Sequence, residues 1–264
     1  MDPIEKMKAA AREGWASFAP FEMITGTTAP ELVRFAGVTA GTRVLDVGCG
    51  TGVVALTCAR HGARVTGADL TPALLERARH NAALAGYAID FDEADVEALP
   101  YAEASFDVVL SQFGHMFGPR PQVTLGEMLR VLKPGGTLAF STWPPELYTG
   151  RMFLLIGKYA PPPPPGVGSP ADWGTPEVVR ARLGEAVRDL VFDRGCMRFP
   201  ILSPAHMRMF TEQNAAPVTK LVAHLADEPE RLAAFRAELE ALVAEYFRDN
   251  IVYQDYLMTR AVRA

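Results

Sequence analysis

The chain has 264 residues, 49% of them hydrophobic and 22% charged, enough to bury a sizeable core in one globular unit, with room for an inserted cap. Its net charge of -5 and its lack of any lysine or arginine run exclude the basic face that nucleic-acid binding needs, so a small-molecule partner is expected. Three scattered cysteines, Cys49, Cys58 and Cys196, fit neither a disulfide framework nor a metal-ligand spacing, which predicts free thiols and no metal.

Val44 to Gly52 reads Val-Leu-Asp-Val-Gly-Cys-Gly-Thr-Gly, a short apolar run that carries one acidic residue and then three alternating glycines. This predicts a strand turning sharply into a helix, with glycines where the backbone takes positive φ or comes close to a ligand. A dinucleotide loop spaces its glycines G-x-G-x-x-G to seat a pyrophosphate on a helix N-terminus. Here the spacing is G-x-G-x-G, and Asp46 would repel a diphosphate while suiting an ammonium or sulfonium group. Both features count against a nicotinamide-dependent oxidoreductase.

Val53 to Arg60 then reads as a helix stopped by His61-Gly62, and Ala63 to Ala68 as a strand ending at Asp69. Thr71-Pro72 opens a helix with Leu74, Leu75, Ala78, Ala82 and Ala85 at helical spacing, closed by Gly86. Ile89 to Ala94 is a third strand ending at Asp95, and Phe106 to Ser111 a fourth. Leu125 to Val131 is helical, Lys133 to Gly136 a turn, and Thr137 to Thr142 a fifth strand. Such alternation predicts a parallel sheet wound on both faces, with the ligand beyond the carboxyl ends of the strands. Asp46, Asp69 and Asp95 fall at or near three consecutive strand ends. Beyond Thr142 the proline-rich stretch from Trp143 to Pro170 breaks the rhythm. Thr175 to Leu183 reads as a helix, Val187 to Phe199 as a strand with a turn at Arg194-Gly195, Ser203-Pro204 as a helix start, Pro229 to Arg248 as a long amphipathic helix, and Ile251 to Val262 as a terminal strand.

On the Val44 to Gly52 motif, and on Glu93 to Pro100, Ser105 to Ser111 and Leu129 to Gly136 after it, the chain resembles the class I S-adenosylmethionine (SAM)-dependent methyltransferases of the small-molecule and quinone-type branch. The resemblance covers Thr42 to Thr142 well and the final strand pair loosely. It implies an α/β, Rossmann-like fold: a seven-stranded, mostly parallel sheet of order 3-2-1-4-5-7-6, strand seven antiparallel, with helices on both faces and a cap insertion. The expected division is a helical segment over the cofactor site (1–36), the SAM-binding core (37–142), the cap (143–186) and a C-terminal part completing the sheet (187–264).

The resemblance assigns Gly48, Cys49, Gly50 and Gly52 to the loop around the methionine part of SAM, and Asp46 to its amino group. Asp69 would accept hydrogen bonds from both ribose hydroxyls, a role for a group that offers acceptors only. Leu70 would pack on adenine, Asp95 would meet its exocyclic amine, and Ala94 and Val96 would flank its edge. Ser111, Gln112 and Phe113 complete the cofactor set. His115, at the centre of the loop after strand four, is the candidate general base if the acceptor is a weak acid, and otherwise packs against the cofactor or bonds a backbone carbonyl. Met116, Met152, Phe153 and Tyr159 are candidates for the substrate pocket. Trp15, Phe18, Phe21 and Met23, in a region that folds over the cofactor in many relatives, either line that pocket or simply pack in the core. Asp107, at the start of a strand, is read as satisfying backbone groups.

The loop Ser111-Gln112-Phe113-Gly114 is unlike the signature of the amino-methylating nucleic-acid enzymes, the paired acidic loop of the protein-arginine enzymes is not recognisable, and no acidic ligands of the metal-dependent catechol type stand between Ser111 and Leu125, which leaves small-molecule acceptors. The competing reading is a SAM-binding regulatory protein without catalysis, since fold does not dictate activity. No stretch reaches the roughly 18 to 20 apolar residues of a membrane span, and Met1 to Arg12 lacks the apolar core of a signal peptide. A cytoplasmic location away from membranes is therefore expected.

Overall fold

The computed structural model describes residues 2–264. Helix α1 (Pro3–Gly14), a 3-10 stretch (Trp15–Phe21) and helix α2 (Glu22–Phe35) come first. α1 buries none of its residues, whereas α2 buries Thr25, Thr28, Ala29, Leu32 and Val33, one stripe at helical spacing. The wound part follows as β1 (Arg43–Val47), α3 (Val53–Arg60), β2 (Arg64–Asp69), α4 (Pro72–Ala85), β3 (Asp90–Glu93), β4 (Phe106–Gln112), α5 (Pro121–Val131) and β5 (Leu132–Thr142). β1 is buried from Val44 to Val47 because helices cover both faces of the sheet, which is why it reads as a continuous apolar run.

The expected turn at Lys133 to Gly136 lies instead within β5. A register shift between Phe106 and Val108 takes up the extra length, with Gly135 at positive φ, and regular pairing resumes at Thr137. Asp107 at this point accepts from the Arg43 backbone N–H at 2.8 Å and pairs with Lys133, the structural role expected of it.

The C-terminal part holds α6 (Tyr148–Tyr159), a 3-10 turn (Pro170–Gly174), α7 (Pro176–Leu183), β6 (Val187–Pro200), α8 (Pro204–Asn214), α9 (Ala216–His224), α10 (Pro229–Tyr246), β7 (Phe247–Arg248) and β8 (Ile251–Arg263). The sheet runs β3-β2-β1-β4-β5-β8-β6, the expected order with β8 as the seventh strand in it, antiparallel to both neighbours. The short β7 is an eighth strand that hairpins onto β8 through Asp249 and Asn250, both at positive φ, as a two-residue hairpin turn requires. β6 does not turn at Arg194-Gly195, because those residues pair in register with Leu257 and Tyr256. Gly195 is there for space: a Cβ on it would lie 2.3 Å from the Tyr256 ring. The irregularity sits instead between Arg188 and Val191.

Pairing of β5 with β8 ends at Thr142 and Leu257, while β6 and β8 stay paired as far as Pro200 and Ile251. These strands therefore project past the end of β5 as an arm. Around the arm a separate apolar cluster forms from Phe21, Tyr148, Met152, Phe199, Met207, Val218, Phe235 and Leu239, where α6 packs on α10, α10 on α8, and α8 on the 3-10 stretch at Trp15–Phe21. Within 143–186, α6 joins this helical group, while α7 packs on β6 and α5 and Trp173 enters the main core.

Candidate active site

The carboxyl ends of β1, β2 and β4 open onto one cavity, closed above by α1, the 3-10 stretch, α6 and the arm. Its floor is a backbone crossing. A Cβ on Gly48 (φ +64) would lie 2.8 Å from Gly114 Cα, and one on Gly114 would lie 2.6 Å from the Gly48 carbonyl oxygen, so the two loops approach this closely only as glycines. Gly50 faces open space at φ +53, leaving its surroundings free for a ligand.

Three carboxylates stand around this floor. Asp69 accepts from the Gly50 N–H at 2.8 Å and the Thr71 N–H at 2.9 Å, which fixes its orientation and leaves acceptor capacity for a ligand. Burial raises its pKa, against those backbone bonds. Asp46 accepts from the Ala55 N–H at 3.0 Å, and its Oδ1 is buried with no hydrogen-bond partner among the described residues. Burial, reinforced by the charge of Asp69, pushes its pKa up to about 8. Asp95 accepts from the Glu97 N–H at 2.8 Å and pairs with Lys8 of α1 at 2.6 Å. Lys8 also reaches Glu97 at 2.8 Å, whose fully buried side chain holds Arg120. Burial opposes the charge on Lys8, but the two carboxylates outweigh it and its pKa rises.

A methyltransferase-domain family profile matches residues 45–140, the stretch that carries all three carboxylates. The ubiquinone biosynthesis O-methyltransferase of Nitrosococcus oceani is 37% identical over 171 residues, 61% of this chain and 70% of that one. The chain belongs to the SAM-dependent methyltransferase family. An uncharacterised Mycobacterium tuberculosis protein is 36% identical to the methyltransferase over 91% of this chain and 88% of its own. A structure of a candidate methyltransferase from Bacillus halodurans superposes with a TM-score of 0.58 over 89% of this chain and 98% of its own, at 20% identity, a likeness of fold alone.

Of the residues singled out in the sequence, the structure of this methyltransferase puts Asp46, Gly48, Cys49, Gly50, Asp69, Leu70, Ala94, Asp95, Val96, Gln112 and Phe113 on the cavity wall, with Trp15, Phe18, Phe21, Met152 and Phe153. Six others, His115 among them, lie elsewhere. Gly52 precedes α3 at φ +81, where a Cβ would press on Phe91 and Ala78. Ser111 donates to the Val47 carbonyl at 2.6 Å and accepts from the His115 N–H at 2.9 Å, tying two strand ends together beneath the cavity. Met116 is buried in the main core, and Tyr159 donates to Glu238 and packs on Phe235. Met23 is exposed at the surface.

His115 is the substantive correction. Its ring is wholly buried, 4.5 Å from Phe140 and 4.7 Å from Trp173 between centroids, off the cavity wall, and neither nitrogen has a partner among the described residues. Burial, with the positive charge of Arg182, pushes its pKa down to about 3. A general base must reach the acceptor, and this imidazole faces the core.

Sequence reasoning missed Lys8, Phe117, Trp143, Tyr148, Thr149, Met197, Met207 and Gln254, all on the wall. Gln254 had a legible signal, because Val252, Gln254 and Tyr256 alternate to one face of β8 and an amide stands between two buried apolar residues. The ionisable wall residues, Lys8, Asp46, Asp69 and Asp95, all surround the strand ends. The part of the wall formed by α6, α8 and the arm is apolar and aromatic, with only neutral polar groups.

Proposed function

We propose that this methyltransferase moves a methyl group from SAM to an oxygen, nitrogen or carbon atom of a small, neutral, largely apolar acceptor. The observation that supports it is the division of one cavity into a carboxylate-rich half at the strand ends and an uncharged half under the cap. The residues of the first half fit SAM: the orphaned Oδ1 of Asp46 suits its ammonium, the spare acceptors of Asp69 suit vicinal hydroxyls, and Gly50 leaves room for the bound chain. When bound, SAM supplies a methyl group on a good leaving group, a sulfonium.

The protein then has to align the acceptor and keep water out, which is worth more here than proton transfer. Leu70 and Val96 offer apolar contact to a purine, while Asp95 offers an acceptor to its exocyclic amine. Gln112 donates to the Thr25 carbonyl at 2.9 Å, and Phe113 stacks on Trp143 at 4.0 Å, so the wall between the two halves is rigid. Among the described residues the uncharged half holds no histidine or carboxylate to serve as base, so the acceptor atom must be nucleophilic at neutral pH without help from one. The named O-methyltransferase activity of the Nitrosococcus relative makes an oxygen the first acceptor atom to test.

Calorimetric titration of the wild type and Asp69→Ala with SAM, S-adenosylhomocysteine and NADH tests the reading. It stands if the first two ligands bind and the variant binds them about 10- to 100-fold more weakly. A response to NADH alone would return the loop to the dinucleotide class, and SAM binding without methyl transfer to any acceptor in a broad screen would favour a regulatory protein.

A further inference from the structure

The uncharged half of the cavity contains one polar pair that the cofactor half does not use. Thr149, on the first turn of α6, donates its hydroxyl to Oε1 of Gln254 on the β6–β8 arm at 3.2 Å. The two residues are 105 positions apart and both nearly fully buried, Thr149 6% and Gln254 4% exposed. With its Oε1 engaged, the Gln254 amide still has Nε2–H to donate, and the Thr149 oxygen still has lone pairs to accept. Side by side on a cavity wall, one donor and one acceptor match a hydroxyl group, which accepts and donates at once. The surroundings are apolar and planar: Phe113 and Trp143 stack at an interplanar angle of 13°, and Phe18 and Phe21 at 12°.

We propose that Gln254 and Thr149 form the specificity-determining pair of the acceptor site, holding a neutral hydroxyl on a flat ring system. The proposal rests on the methyltransferase reading above and adds to it the chemical feature by which the acceptor is chosen. A bare hydrocarbon would leave the buried amide donor unmatched. A carboxylate would bring a charge into a wall with no cation and, being unable to donate, could not use the Thr149 acceptor.

The test is titration of the enzyme, saturated with S-adenosylhomocysteine, with three probes of one shape: 2-naphthol, naphthalene and 2-naphthoate. The wild type should bind 2-naphthol about 10-fold or more tighter than either of the others, the range expected when a buried amide gains or loses its partner. Gln254→Leu should abolish that preference by weakening 2-naphthol alone, with naphthalene and S-adenosylhomocysteine affinities unchanged. Thr149→Val reads the same pair from the other side and serves if Gln254→Leu does not fold. Equal binding of 2-naphthoate, or a naphthol preference that survives both substitutions, overturns the proposal. Absence of S-adenosylhomocysteine binding in the wild type would overturn the parent reading instead, so the two failures are distinct.

Discussion

Asp46→Asn should make the ligand-free protein more stable at neutral pH while crippling its affinity for SAM. In the folded protein burial raises the Asp46 pKa from 3.8 to about 8. A carboxyl that holds its proton more tightly when folded contributes stability below the unfolded pKa, and that stability is lost as pH rises through the folded one. For Asp46 the window runs from about pH 4 to about pH 8. At pH 7 the chain stands about three units into it, and at about 1.4 kcal/mol per unit the ceiling is about 4 kcal/mol. Relaxation and water penetration around a buried charge reduce this, and a difference of about 2 kcal/mol is the working expectation. Asparagine keeps an oxygen for the Ala55 N–H and cannot ionise. Urea unfolding of both proteins without ligand, at intervals from pH 4.5 to 8.5, should show curves that diverge with rising pH, the variant gaining. Charge-assisted hydrogen bonds contribute about 1.5 to 3 kcal/mol, so the variant should bind SAM about 10- to 100-fold more weakly above pH 8. Parallel unfolding curves would show that Asp46 is not desolvated as described, and unchanged SAM affinity would place the ammonium elsewhere.

Asp69→Ala should weaken SAM about 10- to 100-fold through lost ribose bonds; an unaltered dissociation constant in calorimetry would mean the ribose is held by other groups. Gly114→Ala forces a Cβ to 2.6 Å from the Gly48 oxygen, so denaturant unfolding should show a loss of about 1 to 3 kcal/mol, with weaker S-adenosylhomocysteine binding as the Gly48 loop is displaced. A variant as stable and as tight as the wild type would show that the two loops can separate freely. His115→Leu should remove an acid sensitivity. The folded pKa of about 3 lies below the ordinary 6.5, so this ring costs the wild type stability as pH falls through 6.5 towards 3, a cost the leucine variant lacks. Its S-adenosylhomocysteine affinity should not change, and coincident acid-unfolding curves would show instead that the ring is solvated.

The carboxylate-rich half of the cavity was legible because each of its parts follows from a local rule. Asp46, Asp69 and Asp95 lie at or near the carboxyl ends of three consecutive strands, and the glycine spacing decides what kind of ligand the turn can admit. The loop after β4 obeyed no such rule. Phe113 sits at φ 63, an uncommon conformation for an aromatic residue, and the contact between Gly48 and Gly114, with the Ser111 hydroxyl bound to the His115 N–H, aims the next side chain into the core. None of those three constraints is visible in the order of the residues, so a histidine at the centre of the loop read as facing the acceptor. The Lys133 to Gly136 misreading has a related cause: a glycine that permits positive φ serves a bulge inside a strand as well as it serves a turn.

The cap half was illegible for a different reason, which bears on how the enzyme divides its labour. Its wall is drawn from α6, α8, α9, the 3-10 stretch near the N-terminus and the arm of β6 and β8. These segments, from Trp15 to Gln254, lie far apart in the sequence and meet through apolar contacts that carry no motif. They touch the sheet mainly through the arm, beyond the point where β5 stops pairing. A substitution there, such as one at Gln254 or Met207, alters the acceptor surface without moving the strand ends that set Asp46 and Asp69. The reverse does not hold, because the Gly48–Gly114 crossing joins the cofactor loop to the loop that begins the acceptor wall at Phe113. On the proposed function, cofactor geometry is therefore fixed by the sheet and shared with the wall, while acceptor choice rests on side chains of the arm and the helices around it. On that reading specificity changes fall on the arm and the helices around it, and substitutions at the strand ends should lower methyl transfer to every acceptor alike.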